Sequence, residues 1–123
     1  MSFRIGAFLL AESVSPDERG RVVVSGILNV VEANTVQTAS VYAEFFVTEG
    51  PDQHINVTVR IVGPDGATSE FVHDQRVTLR SGTPSTSIVL RGRVETRKRG
   101  VHEVQLVVDG AVLADRPLLA TEP

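Results

Sequence analysis

The sequence predicts an all-β chain: an antiparallel β-sandwich of about eight strands, immunoglobulin-like or jelly-roll in its connections, with a small β-barrel as the competing closure. Three observations carry that expectation. Residues 54–62 alternate strictly, with Ile55, Val57, Val59 and Ile61 toward one face and His54, Asn56, Thr58 and Arg60 toward the other. Near the end, an alternating run meets Asp109-Gly110 and a second apolar run follows, the signature of a hairpin closed by a type I′ turn. Nowhere do apolar residues hold helical spacing for three turns, whereas turn signals recur about every 8 to 12 residues. At 123 residues the chain fits a single domain, 1–123, large enough to bury a core.

Taken in order, residues 3–12 form a first strand that is apolar on both sides, hence central or covered on both faces. The stretch 1–11 has the outline of a secretory signal. Its single Arg, and Glu12 where small residues should precede a cleavage site, favour a strand. Residues 15–20 are a polar turn. Residues 21–33 are long for one strand, and Gly26 in their middle marks a bulge or a corner between sheets. A polar link at 34–38 leads to a strand at 40–48, with Val41, Ala43, Phe45 and Val47 on one face, and a turn at 49–52 follows.

After the alternating strand, Gly63-Pro64-Asp65-Gly66 matches a type I turn. Residues 69–79 return with Phe71, Val77 and Leu79 on one face, and 80–84 are a loop. Residues 86–95 place Ile88, Leu90 and Val94 inward and Val89, Arg91, Arg93 and Glu95 outward. In the closing hairpin a two-residue turn pairs Val108 with Ala111, Leu106 with Leu113, and Glu103 with Arg116. Pro117 confines the tail to an edge or a bulge.

Composition removes several function classes. Without cysteine there are no disulfides, thiolate nucleophiles or Cys-ligated zinc. Tryptophan is absent and aromatics make up 5% of the chain, so stacking platforms for bases are scarce. No run approaches the ~20 apolar residues of a membrane-spanning helix, and the expectation is a cytoplasmic protein. The net charge of −3 is unevenly laid out: residues 80–100 carry six basic side chains and one acidic one.

Phe8-Leu9-Leu10-Ala11-Glu12, the turn ending at Gly20, the strand interrupted by Gly26, the 43–47 run and the closing Gly-x-His-Glu-Val-x-Leu-x-Val-Asp-Gly together resemble a family of small bacterial proteins of unknown function. The resemblance spans nearly the whole chain and implies a compact β-sandwich. It brings no catalytic residue and no ligand.

Candidate chemistry is sparse. His54, His73 and His102 fall on different strands without metal-ligand spacing, so no metal or other cofactor is expected. There is no Gly-x-Ser-x-Gly elbow, no Asp-x-Asp pattern and no glycine-rich phosphate loop, and the acids concentrate in turns where water solvates them. The chain therefore reads as a non-enzymatic module that docks a protein partner or associates with itself. Val89 and Val107, apolar on otherwise polar faces, motivate that reading. The alternative is an anion or nucleic-acid binder using Arg91, Arg93, Arg97, Lys98 and Arg99. The bland counterpart of that cluster is a solvated, charge-protected edge.

Overall fold

The computed structural model describes residues 3–48, 50–83 and 85–122. The turns expected at 49–52 and 80–84 include Glu49 and Pro84, which lie outside the described residues. Nine strands follow in order: β1 (Phe3–Pro16), β2 (Val22–Ile27), β3 (Val30–Glu32), β4 (Thr35–Val47), β5 (Gln53–Val62), β6 (Thr68–Leu79), β7 (Thr86–Thr96), β8 (Gly100–Val108) and β9 (Ala111–Thr121). They form two sheets, in the orders β2-β1-β4-β7 and β3-β9-β8-β5-β6. Among the described residues no strand of one sheet pairs with a strand of the other, so the sandwich stays open and the barrel alternative falls away. All pairings are antiparallel except β3 with β9, which run parallel.

The core fills the space between the sheets. Leu10, Val41 and Phe45 of the first sheet meet Ile55, Val57, Leu106 and Leu118 of the second, all essentially excluded from solvent. Their spacing is the period of two that places alternate side chains on one face. Each such burial stabilises the fold by about 1.5–3 kcal/mol.

Two expectations about the first third of the chain needed adjusting. The run 21–33 is two strands: Gly26, at φ 69°, sits inside β2, which pairs with β1 up to Ile27, and the expected corner between sheets falls at Leu28 and Asn29. There the chain leaves one sheet for the other. Leu28 N–H still donates to Leu10 C=O at 2.8 Å, whereas Asn29 C=O already accepts from Leu119 N–H at 2.9 Å. The ninth strand is thus the short β3. Similarly, the polar residues 35–38 are not a link but the start of β4, since Thr35 to Thr38 pair with Thr96 to Arg93 of β7. Ladder hydrogen bonds there outweigh side-chain polarity.

The closing hairpin has the expected turn, with Asp109 at φ 48° and Gly110 at φ 87°. Asp109 also ties it to β5: its Oδ1 accepts from Asn56 N–H at 2.9 Å, and its N–H donates to Asn56 C=O at 3.0 Å. Beyond Val107 and Val112 the register differs from that expected. Leu113 is an extra residue, so Leu106 faces Ala114, Val104 faces Arg116 and Glu103 faces Pro117. The Glu103–Arg116 pair does not form. Arg116 instead reaches across the open side of the sandwich and donates to Phe8 C=O at 3.3 Å.

β1 is central, as its two apolar faces imply, but its outer face is covered by its own continuation. Pairing with β4 ends at Ala11, whereas pairing with β2 continues to Pro16. Residues 12–27 therefore form an arm that curls over the outside of the first sheet. Val14 and Val24 of the arm pack with Ala7, Leu9, Ala11 and Tyr42 in a second, smaller apolar cluster. Asp17 clamps the arm's tip, accepting from the N–H groups of Arg19 and Arg21 at 2.9 and 2.8 Å and from Arg21 Nε at 2.6 Å.

Candidate functional site

The five cations singled out by the sequence come from one strand and one turn, and they divide into two groups. Arg91 and Arg93 alternate onto the outer face of β7, opposite Ser40 and Thr38 of β4, and both are exposed. Neither has a hydrogen bond or ion pair among the described residues. The turn between β7 and β8 holds the other three, each with a carboxylate. Arg97 Nε lies 3.2 Å from Glu95 Oε1, Lys98 Nζ 2.9 Å from Asp65 Oδ2, and Arg99 pairs with Glu122. The hydrogen bond from Lys98, helped by Ala67 N–H, holds the Asp65 carboxyl below its usual range.

Gly92, between the two unpaired arginines, sets how close β7 comes to the second sheet. A Cβ built there would lie 2.5 Å from the Phe71 carbonyl oxygen of β6. Only a residue without a side chain permits that approach. Toward Ser87 the two edge strands leave a groove of about 690 Å³. Val14, Pro16 and Val22 of the arm form one wall, Val89 and Leu90 of β7 with Val72 of β6 form the other, and Arg91 stands at its rim. The arm is why the groove exists, and its path was not legible in the sequence. The visible signal was weaker: three consecutive valines at 22–24 beside a first strand that is apolar on both faces.

Of the two apolar residues that motivated docking, Val89 is 42% exposed at this groove, but Val107 is only 8% exposed. Val107 sits between Thr58 of β5 and Val112 of β9 on the outer face of the second sheet, where neighbouring strands cover it. That half of the expectation is corrected. Edge strand β2 also exposes apolar side chains: Val22, Val23 and Ile27 are 42–49% exposed, Val23 and Ile27 toward one face and Val22 toward the other.

The histidines occupy three environments. His54 Nδ1 is 3.0 Å from Thr78 Oγ1 on an exposed face, and His73 Nδ1 is 2.8 Å from Glu70 Oε2, also exposed. His102 is buried, with Nδ1 3.1 Å from Gly100 C=O. Among the described residues no group of three or more His, Asp or Glu is placed to hold a metal ion. No helix there is long and apolar enough to cross a membrane.

No protein-family model matches the chain, and comparison with curated proteins finds no match. Solved structures do resemble it. The alkylpurine DNA glycosylase AlkC of Pseudomonas fluorescens, bound to DNA containing an abasic-site analogue, aligns over 98% of this chain with a TM-score of 0.63 and 15% identity. The chain spans 30% of that enzyme's length. A CARDB domain from Pyrococcus furiosus, in complex with di-metal ions, aligns over 98% of this chain and 93% of its own, with a TM-score of 0.54 and 15% identity. An immunoglobulin-like protein from Pseudomonas aeruginosa aligns over 98% of both chains, at a TM-score of 0.45 and 16% identity. At such identities the likeness concerns the fold. The chain is a β-sandwich.

Proposed function

We propose that this β-sandwich is a non-enzymatic interaction module that docks a protein partner, or a second copy of itself, by adding a strand to β2. The edge of β2 carries that reading. It runs from Val22 to Ile27 without a charged residue or a proline, and its backbone groups pointing away from β1 have no strand partner. Exposed, uncharged, β-branched edges pair readily with other chains, and proteins usually blunt them. The other edges of the second sheet are blunted. β3 is three residues long, β6 is bulged at Asp74 with φ 48°, and the part of β9 beyond β3 carries Pro117 and the Leu113 bulge. The resemblance to small bacterial sandwich proteins without catalytic residues fits the same reading, as does a cytoplasmic setting.

The test is light scattering after size exclusion, combined with pulldown from the native host. Wild type is expected to run as a dimer or to retain one partner stoichiometrically, and Val23→Lys, a charge placed on the edge, to abolish that complex while leaving the fold intact. A strict monomer that retains no partner overturns the reading. The anion or nucleic-acid alternative has less support, because three of its five cations are already paired with carboxylates.

A further inference from the structure

The groove between the arm and β7, to which β2 contributes Val22, has a chemistry of its own. Its walls are mainly aliphatic, from Val14, Pro16, Val22, Val89 and Leu90, with Ser15, Gln75 and Ser87 among them, and its size falls within the range of ordinary binding clefts. Its rim is cationic. Arg91 borders it, and Arg93 follows two residues along the same face of β7. Neither guanidinium has a partner among the described residues, although every cation of the adjoining turn has one. A buried-face arginine would be matched internally; these two point outward and remain available for bidentate pairing with external carboxylates.

The backbone adds a third element. β7 is the edge of its sheet, so the N–H and C=O groups of β7 that point away from β4 have no strand partner. Between Ser87 and Arg91 that edge borders the groove. A free strand edge, aliphatic side chains beside it and two unpartnered cations at its end together select an extended chain with alternating apolar and acidic side chains. A nucleic acid fits poorly, since no aromatic side chain lines the groove for base stacking.

We infer that this groove receives an extended acidic peptide segment of a protein partner, its apolar side chains between the arm and Val89 and its carboxylates on Arg91 and Arg93. The inference rests on the docking reading above and shares Val22 with it, but uses the edge of β7 rather than that of β2. Substitutions at Val23 therefore report on the edge of β2, and substitutions at Val89 and Arg91 report on the groove.

The experiment pans a random dodecapeptide phage library against the intact immobilised chain and measures the enriched peptides by fluorescence anisotropy. Enriched sequences are expected to place Asp or Glu beside Leu, Ile, Val or Phe. Their affinity should fall about tenfold or more with Arg91→Glu, and similarly with Val89→Asp, while Val23→Lys leaves it unchanged. Arg91 is exposed and unpaired, so its variant should retain the wild-type melting temperature, and an unfolded variant is replaced by Arg93→Glu for the same measurement. The inference is overturned by no enrichment, by enriched peptides without an acidic bias, or by affinity insensitive to Arg91→Glu and Arg93→Glu. It is also overturned if Val89→Asp converts a wild-type dimer to monomer, or if laurate binds where peptides do not. Absence of any β2-edge complex in the wild type, with peptide binding present, would fault only the first reading.

Discussion

Arg91 and Arg93 differ from Arg97, Lys98 and Arg99 in what surrounds them, although all five lie within nine residues of sequence. The turn's three cations meet Glu95 from the end of β7, Asp65 from the loop between β5 and β6, and Glu122 just after β9. The flat outer face of β7 offers Arg91 and Arg93 only Ser40 and Thr38 as cross-strand neighbours. Charge density along a sequence is therefore a poor guide to binding capacity. What matters is charge left unmatched after folding, because an ion pair already satisfied must be broken before it can serve a ligand.

The largest expected effect that tests this contrast comes from Gly92, which holds the two free arginines in place. Gly92→Ala should destabilise the fold by about 1–3 kcal/mol, because the Phe71 carbonyl leaves no room for a methyl group and β7 must shift. Chemical denaturation would measure this. An unchanged midpoint would mean that the β6–β7 edge is looser than the close approach implies.

Next comes retention on immobilised heparin, a polyanion that reads unmatched positive charge. Arg91→Ala with Arg93→Ala should elute at clearly lower salt, and Arg97→Ala with Arg99→Ala should shift less. The reverse order would break the comparison. The first pair should also leave stability within about 0.5 kcal/mol of wild type, as expected for exposed residues without partners.

The smallest effect concerns the turn's own ion pair. Because Lys98 and the Ala67 N–H favour the ionised form of Asp65, that carboxyl should titrate below the usual carboxylate range in an NMR pH series. The pair then contributes to stability at pH values above the unfolded carboxylate pKa. That contribution is lost as pH falls through the lower folded value. Lys98→Met should move the Asp65 midpoint upward, and an unmoved midpoint would show that the backbone N–H alone sets it.

Much of the fold was legible because the relevant signals are local. The alternation at 55–61 needed only the pleat, and Asp109-Gly110 needed only positive φ at two adjacent residues. Misreadings arose where long-range pairing decided. Polar residues 35–38 became a strand because β7 lay beside them, and the extra residue at Leu113 moved Arg116 off Glu103. Val107 looked exposed by parity, yet the strands on either side bury it. For the candidate site, the residue types of the basic cluster were visible, but the partners of its turn half come from positions up to 33 residues away in sequence.

By itself, then, the sequence determined an all-β sandwich, its inward-facing residues and the type of its last turn, since period-two patterning and turn propensity act over a few residues. The tertiary structure decided which arginines are free, where the arm lies and that a groove opens beside Val89. Those features depend on chain segments distant in sequence meeting at short range, and no local spacing records such meetings.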